Sequence, residues 1–128
     1  MTRSTLEHLN VTVADAPATA KWLCEAFGWK IRWQGPAING GLSIHVGSDD
    51  VYLAVFTPKE GAAPRNGNPR GEAGNLNHVG IVVDDLDGVE EKVKILGYKP
   101  YNHADYEPGR RFYFDDENGI EFEVVSYD

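Results

Sequence analysis

Two histidines and two glutamates stand at spacings that suit metal chemistry. His8 opens "HLNVTVAD" and His78 opens "HVGIVVDD". Leu9, Val11 and Val13 alternate with His8, Asn10 and Thr12, and Val79, Ile81 and Val83 alternate with His78, Gly80 and Val82. Side chains two apart share a strand face, so each histidine begins the face opposite the apolar one. In the closing stretch "NGIEFEVVSYD", Ile120, Phe122 and Val124 alternate with Glu121, Glu123 and Val125. A solvent-facing strand would explain two carboxylates cheaply. The alternative is that one glutamate points into a cavity that needs a negative charge. Two imidazoles and one carboxylate on such faces form a 2-His-1-carboxylate set, which leaves open positions on a divalent ion.

The elements that must position these groups are written twice. "HLNVTVADAPATAKWLCEAFGWK" (8–30) aligns with "HVGIVVDDLDGVEEKVKILGYK" (78–99) with one gap. Each copy runs histidine, strand, aspartate, helix, then Gly-aromatic-Lys. Asp15 ahead of Pro17 marks a helix start, with Ala20, Leu23, Cys24 and Phe27 as its apolar stripe. The second helix presents Leu86, Val89, Val93 and Leu96, and Gly28 and Gly97 stand where a left-handed cap is expected. Three strand-like stretches follow each helix, at about 29–34, 41–47 and 51–57, then 99–104, 110–115 and 120–126. Between the copies, "PKEGAAPRNGNPRGEAGN" (58–75) is rich in proline and glycine and reads as a linker. The expected fold is α+β. Two β-α-β-β-β modules, 1–57 and 76–128, make one domain with a curved mixed sheet around a metal site.

The bulk composition narrows the partners. At 128 residues, 41% hydrophobic and 25% charged, the chain has the make-up of a globular domain. A formal charge of −8 offers no basic patch to offset phosphate repulsion, which argues against nucleic acid. No apolar run approaches a membrane span, and "MTRSTLEHLN" turns directly into a strand pattern, so the expected location is cytoplasmic. The single cysteine, Cys24, excludes an internal disulfide and a thiolate zinc cluster, and its helical spacing reads as an inert core thiol. Neither module buries its sheet well alone, which points to a homodimer.

The paired "LEHLNVTVAD" and "LNHVGIVVDD", with "YFDDENGIEFEVV", resemble the vicinal oxygen chelate superfamily: glyoxalase I, extradiol dioxygenases, fosfomycin-resistance transferases and bleomycin-binding proteins. The last stretch is similar to that family's final-strand signature, with Asp116 in place of the usual proline. The resemblance implies one divalent metal (Fe2+, Mn2+, Zn2+ or Ni2+) held by His8, His78 and Glu121, with Glu123 as an exposed or pocket-edge neighbour. Four-ligand members carry another ligand late in the first module, where this chain has Tyr52 or Ala54. It therefore resembles the three-ligand members, among them the dioxygenases, and glyoxalase I activity is expected to be weak. The implied activity is that of a dioxygenase- or glyoxalase-like enzyme acting on a small vicinally oxygenated substrate. Glu121, His45 and Tyr113 are the candidates for catalysis. Arg110, Arg111, Tyr52 and Tyr101 are the candidates for substrate contact, with His103 near the mouth in an open role. The alternatives are a fosfomycin-type thiol transferase, or a drug-sequestering binder that stacks a cationic ligand on Trp22, Trp29 and Trp33.

Overall fold

The computed structural model describes residues 2–106 and 109–128. The chain separates into two compact units, one running to Ala63 and the other starting at Pro64. The first contains β1 (His8–Thr12), α1 (Ala16–Phe27), β2 (Lys30–Pro36), β3 (Leu42–Gly47) and β4 (Tyr52–Thr57), with a 3-10 turn at Ile38–Gly40. The second contains β5 (Val79–Val82), α2 (Leu86–Ile95), β6 (Tyr101–Tyr106), β7 (Gly109–Asp115) and β8 (Glu121–Ser126). The sheet orders are β1-β4-β3-β2 and β5-β8-β7-β6. In each sheet the first strand lies parallel to the last, and the other neighbours are antiparallel. These are the two β-α-β-β-β modules that the repeat predicts.

Each helix begins on its aspartate. Ala18 N–H donates to Asp15 Oδ1 at 3.1 Å, and Gly88 N–H donates to Asp85 Oδ1 at 3.0 Å, satisfying donors that the first turn leaves unpaired. Each helix is closed by the expected glycine, Gly28 at φ +69° and Gly97 at φ +98°. A side chain at that backbone angle would be strained, which is why glycine serves. α1 buries Ala16, Ala20, Leu23 and Ala26 beside Ile44, Val46 and Val55 of its own sheet. Trp22 is buried too and packs at 6.1 Å from Phe27, so it is a core residue and does not offer a face for stacking a ligand. Cys24 is only half-buried.

In the second unit Leu86, Val89 and Val93 of α2 are buried, as are Phe112, Phe114, Phe122 and Val124 of the sheet. Phe114 and Phe122 stack with ring centres 5.2 Å apart. Truncating one such ring costs about 3–5 kcal/mol, so this pair holds β7 and β8 in register.

Both modules carry a bulge in the second strand. The pairing of β2 with β3 slips by one residue between Ile31 and Trp33, and that of β6 with β7 slips between Tyr101 and Ala104. At the second bulge Asn102 adopts φ +53°, a left-handed angle that asparagine tolerates better than most residues. The extra residue reverses the alternation. Tyr101 stays on the face away from α2, while His103 pairs with Glu90 of α2 at 2.7 Å and stacks on Phe112. The sequence expectation of His103 near the site mouth is corrected by that one inserted residue.

Candidate functional site

In the second unit, the face of the sheet away from α2 gathers the polar side chains. His78 precedes β5, and β5 pairs with β8 in the register Val79↔Phe122 and Gly80↔Glu123. His78 Nε2 lies 3.0 Å from Glu123 Oε1, and its Nδ1 lies 2.8 Å from Asn77 Oδ1. The other Glu123 oxygen accepts from Arg111 Nη1 at 2.8 Å. The Glu123 and Arg111 side chains are each 13% exposed. Glu123 is therefore a held, largely buried carboxylate, which leaves the pocket-edge place expected for it and not the exposed one. Tyr113, opposite Glu123 in the ladder, sits edge-on to His78 at 6.1 Å. Burial first, and the Glu123 charge second, push the Tyr113 phenol above its ordinary range, so it stays a neutral donor.

Glu121 lies one strand repeat away and has different partners. One carboxylate oxygen meets Arg70 of the preceding loop, and the other is 2.5 Å from the Tyr101 phenol. Tyr101 also reaches Asp115 Oδ1 at 2.8 Å. Desolvation, then hydrogen bonds to Glu121 and Asp115, hold the Tyr101 phenol far above its ordinary range. The structure thus brings His78 to Glu123, while Glu121 sits with Arg70, Tyr101 and Asp115.

Arg110 and Arg111 lie within β7 and face opposite ways. Arg111 joins the Glu123 cluster and packs its guanidinium 4.8 Å from the Tyr106 ring centre. Arg110 reaches Asp87 of α2 at 3.4 Å, beside a shallow cavity of about 250 Å³ that Glu90 and His103 also line.

In the first unit, His8, Tyr52, His45 and Trp33 form one row of rings across four strands. Neighbouring ring centres are 4.9, 4.6 and 4.9 Å apart, close to the spacing of the strands themselves. Arg32, the residue that the β2 bulge inserts, lies 4.6 Å from the Tyr52 ring centre. His8 Nδ1 lies 2.8 Å from Glu7 Oε1, and Ala54 is buried beside this row. Desolvation, followed by the nearby His8 and Arg32 charges, lowers the His45 pKa, which favours a neutral imidazole able to accept a proton. Trp33 is half-exposed at the end of the row.

The two metal-candidate histidines share a feature beyond their repeat position. Each has the oxygen of the preceding side chain, Glu7 or Asn77, 2.8 Å from Nδ1. A neighbouring oxygen at that distance fixes the orientation of each ring through Nδ1 and turns Nε2 outward, the way a metal-ligating imidazole is oriented by the groups around it. No group of three or more His, Cys, Asp or Glu side chains is gathered as a metal cage among the described residues. The donor chemistry of the His78–Glu123 pair nonetheless fits a divalent ion: an imidazole nitrogen and a carboxylate oxygen facing each other.

Three features escaped sequence reasoning. Arg70 had no signal, because it lies in an aperiodic loop and meets Glu121 across 51 positions. Arg32 reaches the ring row only through an unforeseen bulge. Glu7 and Asn77 were legible in principle, as polar acceptors directly before each repeated histidine.

A sequence model described as Glyoxalase/Bleomycin resistance protein/Dioxygenase superfamily matches residues 5–124. No match is found among curated proteins. Among solved structures, a glyoxylase/bleomycin resistance protein/dioxygenase domain from Frankia sp. EAN1pec is 21% identical with a TM-score of 0.82, covering 99% of this chain and 100% of that one. A mutant fosfomycin resistance protein, FosX, from Listeria monocytogenes, complexed with Mn(II) and a dihydroxypropylphosphonic acid, is 18% identical with a TM-score of 0.75, covering 97% and 93%. TnmS3, an antibiotic binding protein from Streptomyces sp. CB03234, is 18% identical with a TM-score of 0.74, covering 100% and 99%. At these identities the likeness establishes the fold.

Proposed function

Because the chain belongs to the Glyoxalase/Bleomycin resistance protein/Dioxygenase superfamily, we propose that it is a metal-dependent enzyme for a small, vicinally oxygenated substrate. Its ligands in the second unit are His78 and Glu123. The observation that carries this reading is the His78–Glu123 geometry. His78 Nε2 lies 3.0 Å from Glu123 Oε1, while its Nδ1 side is held by Asn77. An imidazole nitrogen and a carboxylate oxygen this close can ligate one divalent ion together. Glu121, the carboxylate that the family signature points to, is engaged by Arg70 and Tyr101, and the proposal therefore gives ligation to Glu123.

A bound divalent ion would supply electrostatic stabilisation of the charge that develops on two substrate oxygens. The chain's own residues do the rest. Arg111 fixes the second Glu123 oxygen, so that Oε1 alone is presented beside His78. Tyr113, its phenol pushed above the ordinary range by burial and by Glu123, keeps its proton beside His78. His45, held neutral, is the candidate to accept a proton.

Metal content separates the two glutamates. Protein purified without an affinity tag, loaded with Mn2+ or Zn2+ and dialysed, should retain about one ion per chain. Glu123→Gln and His78→Ala should lose it, whereas Glu121→Gln should keep it. Retention by Glu123→Gln with loss by Glu121→Gln would return ligation to Glu121. Retention by all three would reject the metal site.

One observation favours a second reading. The ring row ending on half-exposed Trp33, with Arg32 over Tyr52, would suit a planar ligand held without chemistry. Tight binding of such a ligand by metal-free protein, with no turnover in the loaded form, would select that binding role.

A further inference from the structure

The loop before β5 is not a loose connection. Arg65 Nη1 donates to Gly119 O at 2.9 Å and Nη2 to Leu76 O at 3.5 Å, fastening the loop to the turn before β8. Asn68 N–H is held by Glu72, and Arg70 N–H donates to Asn68 Oδ1 at 3.0 Å. The Arg70 backbone is thereby set, and its side chain reaches Glu121.

The Glu121 carboxylate, 13% exposed, is engaged on both oxygens, by Arg70 and by Tyr101. The guanidinium is different. Its side chain is 57% exposed, and only Nη2 is engaged; Nε and Nη1 make no hydrogen bond among the described residues. One edge anchored on a carboxylate, with the rest of a planar fork left open, is a preorganised seat for a second carboxylate.

The spacing supplies the ligand's dimensions. Glu121 and Glu123 are two residues apart on one strand face, roughly 6.6 Å along the strand. Tyr101 and Tyr113, stacked at 6.2 Å and inclined by 24°, flank the same stretch with aromatic surface. A six-membered ring carrying adjacent oxygens at one end and a carboxylate at the other spans that interval.

We propose that Arg70 is a specificity-determining residue that binds the carboxylate of an aromatic or ring-sized vicinal diol acid whose two oxygens lie at the His78–Glu123 end. This deepens the function proposed above and rests on it. Glu121 then acts as a positioning residue, holding Arg70 instead of touching the ligand oxygens.

The test compares two probes that differ only in the anion, catechol and 3,4-dihydroxybenzoate. Zn2+-loaded protein avoids oxidation, and titration calorimetry gives each Kd. Wild type should bind 3,4-dihydroxybenzoate at least about tenfold more tightly than catechol, the scale of a charge-assisted hydrogen bond. In Arg70→Gln that ratio should fall to near one, and Arg70→Lys, which keeps charge but not the fork, should lie between. Equal Kd values in the wild type, or a ratio that survives in Arg70→Gln, would overturn the assignment and leave the metal reading intact. A wild type that takes up Zn2+ and binds neither probe would overturn both. Melting curves and Zn2+ content for each variant separate loss of recognition from loss of fold or metal.

Discussion

Substituting Asp116 isolates what aims the last strand. Its side chain is buried in the turn before β8, where Oδ1 accepts from Asn118 N–H at 2.9 Å and from Ile120 N–H at 3.0 Å. Oδ2 accepts from Asn118 Nδ2 at 3.0 Å. Asp116→Ala removes every one of these acceptors. The Ile120 N–H is then left buried and unpaired, at a cost of about 1–3 kcal/mol, and the half-buried Asn118 N–H adds about 1 kcal/mol. Set against this, burial raises the Asp116 pKa, so losing the desolvated charge returns part of the cost. The net expectation is about 2–3 kcal/mol for alanine. Asp116→Asn keeps an oxygen for both backbone donors and should cost less than about 1 kcal/mol.

The sign with pH follows from the raised pKa. The unfolded aspartate loses its proton near about pH 4 while the folded one still holds it. The folded state then binds more protons, so this group's contribution to stability falls as pH rises from about 4 through the folded pKa. Asparagine, which does not titrate, should therefore look better relative to wild type at pH 7 than at pH 3.5. Urea unfolding of the wild type and both variants at the two pH values measures all of it. An alanine variant within about 0.5 kcal/mol of the asparagine variant, or an asparagine penalty that grows with pH, would refute the reasoning.

Other consequences are as open to measurement. Asn102→Val should cost about 1–2 kcal/mol by urea unfolding, because a β-branched residue resists φ +53°, while Asn102→Gly should be close to neutral. Phe122→Ala, emptying a fully buried site against Phe114, should cost about 3–5 kcal/mol and lower the melting temperature accordingly. Tyr98 and Tyr101 are both held above the ordinary tyrosine range, by burial first and by hydrogen bonds to Glu117 or Glu121 next. Replacing either with Phe should leave the native absorbance rise near pH 10 unchanged, and a clear drop in that amplitude would contradict the assignment. Sedimentation at tens of micromolar should find a homodimer, and a monomer alone would reject that proposal.

Repetition made most of the fold legible. Two copies of histidine-strand-aspartate-helix-glycine specify two modules, and Asp15, Asp85, Gly28 and Gly97 cap the helices through local chemistry that short windows contain. Strand faces were legible wherever period two holds. They failed where it breaks: one inserted residue at Asn102 carries His103 to the helix side, and the bulge at Arg32 brings that side chain over Tyr52. The choice between Glu121 and Glu123 was not available from alternation, since both lie on one face. Their partners differ, and partners such as Arg70 and Arg111 are set by tertiary pairing that no spacing rule encodes. Trp22 misled for the opposite reason, because a tryptophan in a helix looks the same whether its neighbours bury it or not.

The parallel pairing of β1 with β4 and of β5 with β8 has a consequence for the order of synthesis. In each module the first strand made must wait for the last before gaining its ladder partner. Because the two units are contiguous in sequence, the first can close while the second is still being translated. For the second, β5 and its adjoining His78 stay unpaired until β8 has left the ribosome, so the imidazole and its carboxylate meet only at the final step. Slowing translation across residues 100–120 should therefore lengthen the time this histidine strand is exposed to proteases and to mispairing, without affecting the first module at all.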